Sequence, residues 1–132
     1  MTMSPIPQRE RLPSERVGLT RTFRLKYIHK DGTPDEMHLY FKTGCYPDGR
    51  LGEIFITVDK VGTLASGALD NAAMMISMLL QYGVPLEVIT NKLRHSRFTP
   101  NGFTGDPEIH SCSSPLDLLA QWLEKKYGKR EA

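Results

Sequence analysis

Apolar and polar positions alternate along much of the first half of the chain, and this pattern predicts β-strands. Between positions 19 and 29, Phe23, Leu25 and Tyr27 alternate with Arg24, Lys26 and Ile28. Residues 31–35 then combine Asp, Gly and Pro, which are the residue types of a tight turn. Alternation resumes over positions 37–41. Two strands joined by that turn form an antiparallel hairpin.

A second turn predicts a third strand. Pro47 presets the backbone for the first turn position, and Gly49 accepts a positive φ angle. The apolar-rich segment from Glu53 to Val58 follows at the spacing of a hairpin. We therefore expect three antiparallel strands before the pattern changes.

The pattern then changes to a period of 3.6, which predicts a helix from Ser66 to Tyr82 with Ser66 as its N-cap. One stripe of this helix is apolar at Leu69, Ala72, Ala73, Ile76 and Leu80. The opposite side is also apolar, at Met74, Met75, Met78 and Leu79. We expect the sheet to bury the helix centre around Ala73 and Ile76, and the methionines to fill the core. A residual Met and Leu surface would suit contact between two copies of the chain.

Two further helices are predicted. Gly83 can adopt the left-handed conformation that ends the first helix, and Pro85 suits the first position of a helix that runs to about Arg94. After a long polar loop over residues 95–112, Ser114 caps a last helix. Its buried stripe is predicted at Leu116, Leu119, Trp122 and Leu123.

These elements together predict an α+β fold, in which a small antiparallel sheet of about three strands packs against about three helices. With 132 residues, the chain is long enough for a single core. We divide it into an extended basic arm over residues 1–17, one domain over residues 18–128 and a short tail over residues 129–132.

Charge is unevenly distributed, although the net charge is only +2. Residues 1–30 carry seven Lys and Arg against two Glu, whereas residues 31–123 carry six against eleven acidic residues. A basic arm on an acidic body can dock on a nucleic acid, a nucleotide phosphate or an acidic partner, or can simply be solvated. The sequence disfavours nucleic acid, because exposed basic and aromatic residues do not interleave. The N-terminus lacks an apolar signal core, and no apolar stretch is long enough to cross a membrane, so we expect a cytoplasmic protein.

Residues with catalytic or metal-binding chemistry are few and scattered. Cys45 and Cys112 lie 67 positions apart without a CxxC pair, which indicates free thiols. The four histidines form neither an HxH motif nor an i,i+4 pair. We therefore predict no catalytic residue and no metal site.

The loop between the third strand and the long helix is the candidate ligand site. Its glycines and hydroxyls allow backbone amides to approach a phosphate where the helix dipole is positive, although no GKS or GKT follows as in a Walker motif. Arginine and lysine side chains could complete an anion site. The predicted phosphate-binding residues are Lys60, Gly62, Thr63, Ser66, Gly67, Arg94 and Arg97. The alternative is a capped turn without a ligand.

Five stretches of the sequence are specific enough to carry a family resemblance. They are RLPSERVGLT at 11–20, DGRLGEIFITVDK at 48–60, LLQYGVPLE at 79–87, RFTPNGFTGDPEI at 97–109 and SPLDLLAQWL at 114–123. In this order they resemble the TSCPD domain, which lies near the C-terminus of adenosylcobalamin-dependent ribonucleotide reductases and also occurs as a free-standing small protein. The resemblance extends from about Arg11 to Tyr127.

The resemblance implies an accessory module of ribonucleoside-diphosphate reductase, acting with a catalytic chain in deoxyribonucleotide synthesis. Reduction in that family needs a thiyl-forming cysteine, a redox-active cysteine pair and an acid/base carboxylate, and two cysteines cannot supply this set. Adenosylcobalamin is therefore expected only through a separate catalytic chain. The alternative is an independent, oligomeric protein that binds or sequesters a small nucleotide.

Overall fold

Three helices and five strands make up the part of the chain that this computed structural model describes, residues 7–59 and 63–128. The strands are β1 (Thr20–Ile28), β2 (Pro34–Cys45), β3 (Leu51–Val58), β4 (Gly102–Phe103) and β5 (Ser111–Cys112). The helices are α1 (Leu64–Gln81), α2 (Leu86–Leu93) and α3 (Pro115–Tyr127). The predicted α+β fold is confirmed.

The strands form one antiparallel sheet in the order β3-β2-β1-β4-β5. As expected for a hairpin, β1 and β2 pair without interruption, from Thr20 opposite Lys42 to Ile28 opposite Pro34. Strand β3 lies at one edge of the sheet. An edge strand directs a row of backbone N–H and C=O groups away from the sheet, and these groups need other partners.

The sheet is two strands wider than the sequence predicts. The segment over residues 95–112, predicted as a polar loop, folds back so that β4 pairs with β1 and β5 pairs with β4. Gly102 permits this close approach, because a Cβ atom at its position would collide with the backbone carbonyl oxygen of Lys26. Strands of two residues have no detectable period, so hydrophobic alternation could not reveal them.

One face of the sheet packs against α3. Leu119 and Leu123 are fully buried, and the rings of Trp122 and Phe41 lie with their centroids 5.8 Å apart. Burying each such side chain contributes roughly 1.5–3 kcal/mol to stability. Of the four residues predicted for the buried stripe of α3, three are buried and Leu116 is partly buried.

The ends of the first two helices differ from the prediction by a few residues. The N-cap of α1 is Thr63 rather than Ser66, so that prediction is wrong: the hydroxyl of Thr63 accepts the amide proton of Ser66 at 3.1 Å. Both hydroxyls are suitable, but Thr63 is the last extended residue and Ser66 already lies inside the helix. At the other end Gly83 has a φ angle of 93°, as predicted. Pro85 is the N-cap of α2 rather than its first helical residue.

Helix α1 packs along β3 with one face only. Ala73 and Ile76 are buried, as predicted. The prediction that the methionines fill the core is wrong, because Met74, Met75 and Met78 remain 54%, 61% and 39% exposed. None of the described helices combines the length and apolar character needed to span a membrane.

Two polar residues of α1 point inward, and their bonds explain which face is buried. The Ser77 hydroxyl accepts the amide proton of Ile54 at 2.8 Å, and the Gln81 side-chain amide donates to the carbonyl oxygen of Gly52 at 2.9 Å. These bonds satisfy outward backbone groups of the edge strand β3. The Gln81 side-chain oxygen also accepts from Arg9 at 2.6 Å, which attaches the N-terminal arm.

Ion pairs attach the described part of the arm to the body. Arg16 contacts Glu53 through two nitrogens at 2.6 and 2.8 Å. Arg50 contacts Glu10 through two nitrogens at 3.0 Å, and the Tyr46 hydroxyl donates to the carbonyl oxygen of Glu10. Part of the basic charge of the arm is therefore paired with acidic groups of the same chain.

Candidate functional site

The first turn of α1 brings together three of the seven residues predicted to bind phosphate. The Thr63 hydroxyl accepts the amide proton of Ser66, and the Thr63 carbonyl oxygen accepts that of Gly67 at 3.0 Å. The first two amides of the helix have no intrahelical acceptor, as at any helix start. Lys60 and Gly62 lie outside the described residues.

A cavity of about 490 Å³ opens beside this turn. It lies between the first turn of α1, the first turn of α3 and the loop over residues 98–100. Its size is within the range of small-molecule sites, and its walls are mostly apolar. Among the lining residues are Leu64, Ala68, Phe98, Pro100, Pro115 and Leu116.

The two helix ends at this cavity differ in charge. The first turn of α1 contains no acidic residue, whereas that of α3 contains Asp117. The buried Asp117 carboxylate accepts the amide protons of His95 at 2.8 Å and Ser113 at 3.0 Å. Burial raises the pKa of Asp117, but these hydrogen bonds outweigh burial and hold the pKa below its ordinary value. The α3 end thus has its own anion, while the α1 end retains its attraction for an external one.

The two predicted arginines of this site have different surroundings. Arg94 donates to Glu124 at 2.8 Å, and its Nε lies 3.4 Å from Asp117, too poorly aligned for a hydrogen bond. These ion pairs connect the end of α2 to α3. Arg97 is exposed and precedes Phe98, which lines the cavity. Of the two arginines, Arg97 is therefore the one adjacent in sequence to a residue of the cavity wall.

Two residues of this region, Phe98 and Asp117, were not among the predicted site residues. Phe98 is 41% exposed. Its signal was an aromatic residue in a polar loop. Asp117 follows the Ser114 cap by three residues, a spacing typical of helix capping. Its bond to the distant amide of His95 has no signal in the sequence.

The sequence profile of the TSCPD domain matches residues 12–127. The chain belongs to the TSCPD domain family. Its relatives include vitamin B12-dependent ribonucleotide reductases of Rhodopirellula baltica, 44% identical over 117 residues, and of Streptantibioticus cattleyicolor, 36% identical over 117 residues. That of Bradyrhizobium diazoefficiens is 36% identical over 124 residues. No solved structure gives a significant match.

The TSCPD domain is a small part of these relatives. The alignments cover 89%, 89% and 93% of this chain, but only 10%, 18% and 9% of the three reductases. The resemblance identified from the sequence is thereby confirmed. The chain corresponds to one region of each of these much longer reductases.

The two cysteines of this TSCPD domain are far apart in the sheet. Cys45 ends β2 and Cys112 lies in β5, so three strand spacings, about 14 Å, separate their strands. A disulfide requires Cα atoms within about 7 Å of each other. Burial raises the pKa of Cys112 to about 11, which keeps it protonated at neutral pH. Both cysteines are free thiols.

Metal-binding side chains do not cluster in the part of the chain that the structure describes. Over residues 7–59 and 63–128, no group of three or more His, Cys, Asp and Glu is placed to hold a metal ion. His29 lies 2.7 Å from Asp35, and His38 lies 3.2 Å from Glu36. These contacts are local to the β1–β2 hairpin.

Proposed function

We propose that this chain is an accessory module of a vitamin B12-dependent ribonucleotide reductase, acting with a catalytic chain in deoxyribonucleotide synthesis in the cytoplasm. The observation that carries this proposal is the TSCPD match over residues 12–127. The three relatives described above are reductases, and the region they share with this chain is a small fraction of each.

The cysteines support a role without catalysis by this chain alone. A dithiol reductant ends as a disulfide, so its two sulfurs must come within bonding distance. Cys45 and Cys112 lie on strands separated by β1 and β4, and the Cys112 thiol is buried. The reducing pair would therefore belong to the catalytic chain.

The cavities also support placing the cofactor on that catalytic chain. The cavity beside α1 measures about 490 Å³, and an open groove along β1 measures about 750 Å³. Neither encloses a group as large as a corrinoid. This supports binding of adenosylcobalamin by the separate catalytic chain.

Sedimentation velocity with the B12-dependent catalytic chain of the same cell tests this proposal. We expect a complex of micromolar affinity or tighter, as for other specific interfaces. A catalytic chain that carries its own TSCPD region is the matched control, because its docking surface is already occupied. The proposal is wrong if the first of these catalytic chains does not associate with this protein even at concentrations well above micromolar.

The cavity favours a second candidate function, the binding of a small nucleotide. An apolar cavity with an exposed aromatic side chain suits a nucleobase, and a helix start without a carboxylate suits a phosphate. In this candidate Phe98 packs against the base, the first-turn amides of α1 hold the phosphate and Arg97 supplies a countercharge. Such binding would serve the reductase module or an independent nucleotide-sequestering protein.

Calorimetry with ribo- and deoxyribonucleoside phosphates tests the second candidate. Arg97→Ala is expected to weaken binding by about 1.5–3 kcal/mol, because a charge-assisted hydrogen bond is lost, and Phe98→Ala should weaken it through lost stacking. Lys92→Ala removes an exposed cation of α2 outside the cavity lining and is the control. If no nucleoside phosphate binds at millimolar concentration, the loop between β3 and α1 is only a capped turn and the second candidate is wrong. Binding that neither Arg97→Ala nor Phe98→Ala weakens would place the site elsewhere.

A further inference from the structure

The face of α1 that points away from β3 is a continuous, largely apolar stripe. Its positions follow alternating spacings of four and three residues, which places them on one line along a helix. The stripe consists of Leu64, Ala68, Asn71, Met75, Met78 and Tyr82, all of them exposed. Met74 and Leu79 flank this α1 stripe and are also exposed. Asp70 is the one charged residue in the sequence of the helix, and it lies off the stripe.

The exposed apolar area is large for a single small domain. Leu64 alone is 90% exposed. The large side chains of the stripe and its flanks together leave roughly 600 Å² in water, at the upper end for the largest apolar patch of a typical monomer. Two such surfaces would bury at most about 1,200 Å² between them, which reaches the lower limit for a specific, stable interface. Pairing one copy with another therefore yields the area that a stable dimer needs.

The sizes of the side chains select an antiparallel arrangement of two α1 helices. The first half of the stripe is narrow at Ala68 and the adjacent Gly67, whereas the second half carries Met75, Met78 and Tyr82. A two-fold axis level with residue 73 would place each of these three residues opposite a smaller one. The opposed pairs are Leu64 with Tyr82, Ala68 with Met78, and Asn71 with Met75. A parallel arrangement would set large against large at one end and leave a gap at the other, which close packing disfavours.

We propose that two copies of this chain associate through the α1 stripe, with their α1 helices antiparallel. The contact is isologous, so both stripes are buried together, and the opposed helix dipoles attract each other. No charged residue lies on the stripe, so like charges do not meet across the axis. This inference rests on α1 alone and does not depend on the reductase partnership.

Sedimentation velocity on the parent chain and two variants tests the association. The double variant Met75→Glu/Met78→Glu places four carboxylates in the interface of a dimer but changes only exposed positions of one copy. We expect the parent to dimerise and this variant to dissociate at least tenfold more readily, with an unchanged circular dichroism spectrum. Val88→Glu is the control, because it adds a carboxylate at a similarly exposed apolar position of α2, and it should dimerise like the parent.

Two outcomes of that experiment would overturn the inference. One is a parent chain that stays monomeric at high concentration, including the case in which its α1 stripe binds only a reductase catalytic chain. The other is a dimer that Met75→Glu/Met78→Glu leaves intact, because the interface then lies elsewhere.

Thiol cross-linking tests the helix orientation separately. A mixture of Ala68→Cys and Met78→Cys chains should react with a short bifunctional thiol reagent, because the antiparallel arrangement opposes these positions. Ala68→Cys alone should not react, since ten residues of helix, about 15 Å, separate the two thiols along the axis. The parent with Cys45 and Cys112 is the blank. Cross-linking of Ala68→Cys chains alone, without cross-linking between Ala68→Cys and Met78→Cys chains, would show a parallel pair and contradict the proposed arrangement.

Discussion

The two faces of α1 depart from the usual distribution of polarity in a helix. On the inner face Ser77 and Gln81 bond to the backbone of Ile54 and Gly52 in β3. On the outer face three methionines are exposed. One helix therefore directs hydroxyl and amide groups toward the protein and thioethers toward water.

The difference follows from what each face contacts. An edge strand presents backbone donors and acceptors, so the helix that covers it must supply hydrogen bonds as well as apolar area. Ala73 and Ile76 supply that area between the polar residues. The outer face is exposed along its length, and its apolar area is available to a partner. Inward polarity thus serves the fold, and outward apolarity is the basis of the proposed association.

The largest effect is expected from a charge on the inner face. Ile76→Asp would bury an unpaired carboxylate, so we expect a loss of about 3–5 kcal/mol and little folded protein. Met75→Asp is the matched variant, with the same new side chain on the exposed face, and should keep the thermal stability of a single copy. Thermal unfolding at low concentration measures both. An Ile76→Asp variant that melts with the parent would show that the inner face is not buried.

Acid sensitivity is expected from Asp117, the buried carboxylate of α3. The folded-state pKa of Asp117 is lowered, so its contribution to stability is complete above the ordinary carboxyl pKa of about 3.9 and is lost as the pH falls toward the folded value. Asp117→Asn should cost about 1.5–3 kcal/mol at pH 7 through lost charge-assisted bonds. It should also reduce the decline of stability in acid. Urea unfolding at several pH values measures this, and an unchanged acid decline would contradict it.

A slightly smaller effect is expected from removing the inward polarity of α1. Ser77→Ala leaves the amide of Ile54 buried without its acceptor, which should cost about 1–3 kcal/mol at every pH. Ser66→Ala, in the first turn of α1, is the control and should change stability by a few tenths of that. Urea unfolding compares the two. Equal losses would mean that the inward hydroxyl is not needed by the edge strand.

The long elements could be predicted from the sequence because each carries a pattern of its own. The β1–β2 hairpin followed from alternation around the turn at 31–35, and α3 followed from the Ser114 cap and its apolar stripe. Strands β4 and β5 could not be predicted, because they depend on Gly102 approaching β1 across a long separation in sequence.

The orientation of α1 and the presence of the cavity could not be predicted from the sequence for a related reason. Both sides of α1 are apolar, so periodicity could not show that β3 would select the side with Ser77 and Gln81. The cavity joins α1, α3 and the loop around Phe98, which are distant in the chain. The first turn of α1 was identified as a candidate anion site, but its phosphate role stays a prediction.

A reductase assay tests the central claim most directly. The purified chain, given adenosylcobalamin, a dithiol and ribonucleoside diphosphates, should form no deoxyribonucleotide, because its two cysteines lie on separated strands and one is buried. Adding the B12-dependent catalytic chain of the same cell should produce turnover whose rate depends on the amount of this chain. Cobalamin-dependent turnover by this chain alone would contradict the account.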